Sequence, residues 1–513
     1  MKLNPQEVEN LLRSGEAGST KFVHAREVAA LLESLGYNDK SARELGYPSI
    51  FPFAEELFAR LQQDPEPDDA PPGTGKRLSA LAELSYAVRK FSLGLAYAIP
   101  WMALLTLEYL RPNALNVPPE LGGALSLALI ASLITTGGFI QMISRSGSFY
   151  YGLKEPALAR RTCMKLLNVG LTSTLLLGLL GMILGAYFHL FAPYYLLLAA
   201  INFVALSLLW MFCAVLSVQG IGWCILLVFL LSATICGLTK ILTGAGNTLL
   251  LTLWPITAVL CALISVWAGF YRAEKNFSDT RNSARPRFGV LSISLIPFFL
   301  YGTFYFSFLF ADRLAAGSAV PWVSGLSFGI DPAYKRGMDL VLLAFLITAS
   351  LVEYLSDSYL RFWRRLAAEL PQSSGGELVT RLRRRHWKTI SVIFVMFVLV
   401  SFGAWFAFSR VNGAPLSPRL LQTAALGGLG YLMLSIALLE IVILSSVNST
   451  SFAMVAAAFG LAVNLITGYG LSHFWGVQYA AAGLLAGSAV VLWTCNAAVR
   501  RILRRPDYHY SIS

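Results

Sequence analysis

Charge is scarce in this chain. Charged residues make up only 13% of its 513 residues, whereas hydrophobic residues reach 56%. A soluble domain carries about 25% charged residues, so the composition excludes an ordinary water-soluble globule. Paired cysteines are also missing. The six cysteines lie in or beside apolar stretches and form no CxxC motif, which excludes a disulfide framework and a thiolate metal site. HExxH, GxSxG and a complete Walker A are absent. GTGK (Gly73 to Lys76) follows a proline-rich segment with the wrong upstream glycine spacing. No acidic or histidine cluster suited to a catalytic centre, a metal or a cofactor is visible, so an enzyme is not expected. The opening MKLNPQEVENLLRSGEAGS has no apolar core of a cleavable signal, and the first apolar span is expected to serve as an uncleaved insertion signal.

What is abundant is long apolar sequence. Mean hydropathy is +0.62. Twelve stretches, at about 89–110, 121–143, 164–190, 194–217, 221–242, 248–271, 288–311, 337–356, 388–409, 420–445, 451–472 and 478–498, each approach the roughly 20 residues that cross a bilayer as a helix. The links are uneven: Val218-Gln219-Gly220 alone separates the fourth and fifth, and SVNST (Ser446 to Thr450) the tenth and eleventh.

The net charge of +12 would suggest nucleic acid in a soluble protein. Here the basic residues alternate by loop, and nucleic acid is not expected as a partner. One set of loops holds Lys76, Arg77, Arg89 and Lys90, then Arg145, Lys154, Arg160 and Arg161. It continues with Arg272 to Arg287, Arg361 to Lys388, and Arg500 to Arg505. The other set holds only Arg111, Lys240, Arg313, Lys335, Arg336, Arg410 and Arg419. Positive loops stay inside. This predicts both termini in the cytoplasm and an even number of spans.

The expected fold is therefore an all-α integral membrane protein, about twelve transmembrane helices in two six-helix bundles. A small cytosolic helical cap covers 1–63, with Val28, Leu31, Leu32 and Leu35 on one helical face and Phe53, Leu57 and Leu61 on another. A Pro/Gly-rich acidic linker and pre-membrane segment follow at 64–88. The N-lobe takes 89–271, a basic linker 272–287, the C-lobe 288–499 and a basic tail 500–513. The halves echo each other: spans two and eight are each followed by a basic, aromatic segment, SRSGSFYYGLKEPALARR (Ser144 to Arg161) and SDSYLRFWRRLAAEL (Ser356 to Leu370). Such repeats are common in secondary transporters, with the substrate site between them.

Ionisable groups at membrane depth are costly and mark candidate sites. Glu440, in span ten, is a candidate cavity or coupling group, or else a carboxylate paired with a basic loop. Glu353, near the inner end of span eight, is a second candidate cavity or coupling carboxylate; it and Asp357, one turn further on, could instead bond Arg361 or Arg364. Asn168, Asn202 and Asn464 could line a cavity or bond neighbouring helices. Arg145, Arg160, Arg161, Arg361, Arg364 and Arg365 would form a basic cytoplasmic rim, topological or attractive to anionic headgroups. Asp312, Arg313 and Lys240 are candidates for an outer gate.

The chain resembles the multidrug/oligosaccharidyl-lipid/polysaccharide flippase superfamily over about residues 80–500, through its 6+6 spans and through VAAAFGLAVNLITGYGLSHFWGVQYAAAGLLAGSAVVLW (Val455 to Trp493). Within it, YKRGMDLVLLAFLITASLVEYLSDSYLRFWRRL (Tyr334 to Leu366) is similar to Pel-type exopolysaccharide exporters, with Glu353 ahead of Tyr359, Phe362, Trp363, Arg364 and Arg365. The resemblance implies a bacterial cytoplasmic-membrane protein that moves a polysaccharide or lipid-linked oligosaccharide by alternating access. Membrane lipids and the glycan would be its partners, and a cytosolic glycosyltransferase could dock on 1–63. A cation-coupled drug antiporter of the same fold, or a non-transporting component of a synthase complex, is the alternative. Spans one to six carry no acidic residue save Glu108, which weakens an antiporter that relies on an N-lobe carboxylate.

Overall fold

A computed structural model describes residues 25–34, 39–63, 81, 83–92, 94–95, 118–153, 155–276, 288–320, 329, 331–369, 375–412, 417–447 and 449–504. Three short helices come first: α1 (Ala25–Ser34), α2 (Asp39–Glu44) and α3 (Ile50–Gln63). Helix α1 packs on α3, and Val28 and Leu32 meet Ile50, Phe53 and Leu57 in a small dry core. The Asp39 carboxylate accepts from the Ile50 N–H at 3.0 Å, which satisfies one donor that the first turn of α3 leaves unpaired. Leu31, Leu35 and Leu61 lie outside the described side chains.

Eleven helices among the described residues are long and apolar enough to span a membrane. They are α4 (Pro119–Gly152), α5 (Pro156–Tyr187), α6 (Pro193–Val218), α7 (Trp223–Thr243), α8 (Asn247–Asn276), α9 (Phe288–Ala319), α10 (Pro332–Glu369), α11 (Gly375–Asn412), α12 (Pro418–Ser446), α13 (Thr450–Trp475) and α14 (Ala480–Ile502). They correspond in order to the expected spans two to twelve. The first expected span, 89–110, falls mostly outside the described residues, apart from a helical stretch at 83–92 that leads towards it. The short link between α6 and α7 works because Gly220 takes φ +71°, a left-handed conformation that costs glycine nothing.

Two lengths correct the sequence expectation. The segments after spans two and eight are not loops. Helix α4 runs on to Gly152, and α5 begins at Pro156. Helices α10 and α11 each run 38 residues, about 57 Å at 1.5 Å per residue, against a hydrocarbon core of about 30 Å. Hydropathy marks where a helix touches lipid. It does not mark where its hydrogen bonds stop, so the charged extensions were taken for loops.

Burial repeats with a six-helix period. The apolar windows of α4 and α6 are 56% and 61% buried, and those of α10 and α12 are both 56%. Helices α5 and α11 fall to 17% and 11%, so each half has two central helices and one lipid-facing outrigger. The pairings repeat too: α4 packs on α6 and α10 on α12, while α6 packs on α8 and α12 on α14.

The described contact that joins the halves at mid-helix is α4 on α9. Its approach depends on glycine. A Cβ on Gly137 would stand 2.8 Å from the Gly302 carbonyl oxygen, and one on Gly138 would strike Phe299. The Phe139 and Phe299 rings meet edge to face at 5.1 Å.

Candidate functional site

Because successive helices reverse, their ends gather on two faces. The face carrying Arg145, Arg160, Arg272, Arg364, Arg384 and Arg500 is called the basic end below.

Towards the opposite end, α9 continues to Ala319. This places Asp312 and Arg313 inside a helix rather than at its close. Helix α10 brings Tyr334, Lys335 and Asp339 alongside, and α12 brings Tyr431. The Tyr334 hydroxyl donates to Asp312 Oδ2 at 2.6 Å. Arg313 Nη1 donates to the Tyr431 hydroxyl at 3.0 Å, and its Nη2 lies 3.6 Å from Asp339. Lys335 is 3.9 Å from Asp339 on the same helix. Phe345 stacks on Tyr431 at 4.9 Å. Asp312 is fully buried. Removing an ion from water costs several kcal/mol, and here two carboxylates face an arginine and a lysine. Lys240 does not join them: its ammonium donates to Asn247 Oδ1 at 3.1 Å, in the other half of the chain.

Towards the basic end, Glu440 on α12 is also fully buried. Its Oε1 accepts from Asn496 Nδ2 of α14 at 2.9 Å and lies 3.1 Å from His386 Nε2 of α11. The Tyr359 ring packs against His386 at 5.9 Å and against Trp363 at 6.4 Å. Four helices thus converge on one carboxylate. His386 was missed by sequence reasoning because the RLRRRHW segment was assigned to a loop. Extending the α11 helix back through those arginines would have put His386 at membrane depth.

A third cluster ties the stretch 83–92 to α10. Arg361 donates to Glu83 through Nη1 at 3.3 Å and Nη2 at 3.0 Å, and through Nε to Asp357 at 2.9 Å. The Tyr86 hydroxyl donates to the same Asp357 oxygen at 2.8 Å. The guanidinium lies over the Tyr86 ring at 4.3 Å. Tyr354 donates to Glu83 at 3.1 Å. The hydrogen bond from Arg361 holds the Glu83 carboxyl below its ordinary range. Burial, reinforced by the bond to Asp357, pushes the Tyr86 phenol up to about 12. Just beyond, a Cβ on Gly94 would stand 2.9 Å from Ser350 Cα and 3.0 Å from Glu353 Oε2. Asp357, four residues before Arg361, makes the bond.

The remaining candidates scatter. Asn168 is exposed on α5. Asn202 is buried and donates to Leu198 O of its own helix at 2.9 Å. Asn464 donates to Phe308 O at 2.9 Å, binding α13 to α9. In the rim, Arg160 pairs with Glu274 at 2.6 Å, and Arg145 lies over Phe298 at 5.4 Å. Arg161 and Arg364 are exposed, and Arg365 is half-buried. A shallow apolar groove of about 450 Å³, lined by Met182, Leu197, Ile201, Val204 and Ile256, opens between α5, α6 and α8.

This arrangement matches solved structures. The Vibrio cholerae MATE transporter VcmN, as an Asp-to-Asn mutant, aligns with a TM-score of 0.53 at 15% identity, over 83% of this chain and 98% of that one. VcmN in the bent form gives 0.53 at 14% identity, over 83% and 99%. A MATE in the bent conformation gives 0.51 at 12%, over 84% and 97%. The chain has the MATE transporter fold. Those structures hold twelve transmembrane helices in two lobes. At such identities the likeness concerns the fold alone. No family model matches the sequence, and no curated protein sequence is significantly similar to it.

Proposed function

We propose that this chain is an alternating-access transporter that moves a polysaccharide or lipid-linked oligosaccharide outward across a bacterial cytoplasmic membrane. The observation that carries the proposal is the repeated six-helix packing, with the halves meeting at a glycine-lined contact between α4 and α9. Two rigid bodies joined along a smooth line can rock, and rocking exposes a central cleft to each side in turn.

The substrate class rests on charge and on the Pel-type resemblance of residues 334–366. From Leu121 to Ala273 the sequence contains a single acidic residue, Glu155. In the C-lobe, Asp312, Asp339 and Glu440 each face a cation or a histidine. An open carboxylate that would hold a cationic drug is therefore lacking among the described N-lobe spans. The basic end, with Arg161, Arg364 and Arg384 exposed, suits the diphosphate of a lipid-linked glycan.

Purified protein in proteoliposomes tests this. A fluorescent lipid-linked oligosaccharide should become quenchable from the outer face faster than in protein-free vesicles. Equal rates would sink the proposal. Glu440 and His386 favour a second reading, a proton-coupled small-molecule antiporter. Cationic dye efflux that collapses with the pH gradient, in vesicles that flip no glycolipid, would select it. Residues 1–63 would dock a cytosolic glycosyltransferase. Deleting residues 1–75 without losing either secretion or recruitment would remove that role.

A further inference from the structure

We propose that Glu83, Tyr86, Asp357 and Arg361 form the gate that closes the cleft at the basic end. The proposal rests on the transporter reading above. By the six-helix period, α4 corresponds to α10, and the first span to α9. The contact of α4 with α9 therefore has a counterpart between α10 and the segment that opens the first span. The two counterparts differ in chemistry. The α4–α9 contact is glycine against backbone and phenylalanine. Its counterpart shares the close approach, Gly94 on Ser350, and adds charges at the basic end: Arg361 to Glu83, Arg361 and Tyr86 to Asp357, and Tyr354 to Glu83.

That difference suits one contact to be a hinge and the other a gate. Parting the α4–α9 contact would expose apolar surface. Parting the charged contact returns ions to water, because the Arg361, Glu83 and Asp357 side chains are already 25%, 35% and 33% exposed. Arg361 is the hub. It keeps Asp357 on its own helix when the gate parts, and surrenders only Glu83 and the Tyr86 face. The close approach of Gly94 to Ser350 lies about two to three helical turns further along the same two segments. Opening the gate must therefore uncover Ser350, which is 4% exposed with the gate shut.

The test uses full-length protein carrying Ser350→Cys in proteoliposomes, labelled from the basic-end face with a membrane-impermeant maleimide. Background labelling is read from the parent without the added cysteine. Arg361→Gln and Glu83→Gln should each raise the labelling rate about tenfold, equivalent to shifting the open population by that factor. Arg361→Lys, which keeps the charge, should raise it less. High salt should raise the rate in Ser350→Cys carrying no gate substitution, because exposed pairs are screened, and should change little when Arg361→Gln is added. A rate unchanged in both Gln variants overturns the proposal. If Arg361→Gln fails to fold, Glu83→Gln decides alone, since Glu83 precedes the spans. Labelling needs no substrate, so a failed gate is distinguishable from a failed transport assay.

Discussion

The Gly137–Gly302 contact predicts that a single methyl group on Gly302 will impair transport far more than stability. A Cβ on Gly302 would stand 2.7 Å from the Gly137 carbonyl carbon, where ordinary contact begins at 3.4 Å. The Gly137 carbonyl oxygen is closer still, and backbone cannot rotate away, so α4 and α9 must separate by more than about 0.7 Å. Overpacking of this kind costs about 1–3 kcal/mol. For a chain this long, each kcal/mol lowers Tm by about 2 °C. Gly302→Ala should therefore melt about 2–6 °C below the parent in detergent. Its transport should fall more steeply, because the proposed rocking of the two halves turns on the same contact. Gly122→Ala is the control: it lies on α4 with nothing within 4 Å of an added Cβ, and should leave both quantities at parent level or raise Tm slightly. A Gly302→Ala protein with parent melting and parent transport would refute the hinge.

Three further outcomes follow from other sites. Glu440→Ala leaves Asn496 and His386 facing each other without their acceptor, at about 1–3 kcal/mol for each group left unpaired; Glu440→Gln should cost less, and equal melting of both variants with the parent would contradict the pairing. Glu83 is held below its unfolded pKa, so its bond to Arg361 contributes in full above about pH 4.5 and is lost as pH falls through the folded value; the Ser350→Cys labelling rate, divided at each pH by that of a free small-molecule thiol to remove the thiolate's own titration, should be flat from about pH 6 to 8 and rise only in acid. Phe53→Ala removes the largest side chain of the small α1–α3 core, at about 3–5 kcal/mol; limited proteolysis should then cut within residues 25–63 while the membrane helices keep their melting temperature, and resistance to cleavage would mean that the cap is held by something other than this core.

Most of the architecture was legible because lipid selects for one property, apolar length, and sequence displays it directly. Spans two to twelve, the short α6–α7 link and the repeat of two halves all follow from it. The interior pairings were not legible in the same way. Glu440 was visible as an acid at membrane depth, but its partner His386 sits among arginines that look like loop. Asp312 and Arg313 stand side by side in sequence, whereas Tyr431, more than a hundred residues on, reaches them only through the packing of α12 on α10. Asn464 could have faced a cavity or a helix, and only the Phe308 carbonyl beside it decides for the helix. Periodicity says which way a residue points; it does not say what waits there.

The overlong α10–α11 pair makes the C-lobe a lever. From Ser356 to Glu369, α10 projects about 20 Å beyond its apolar stretch, and α11 returns over a similar length. With the fulcrum near mid-membrane, the tip stands about 35 Å away, so a tilt of about 10° sweeps it through roughly 6 Å. Glu83 and Tyr86 hold this arm near its base, through Arg361 and Asp357. A small displacement there governs a large one at the tip, and Arg381, Arg383 and Arg384 are exposed along the returning arm. Anything bound at the tip, a headgroup or a protein, would feel each turn of the cycle and could in return push on it with mechanical advantage.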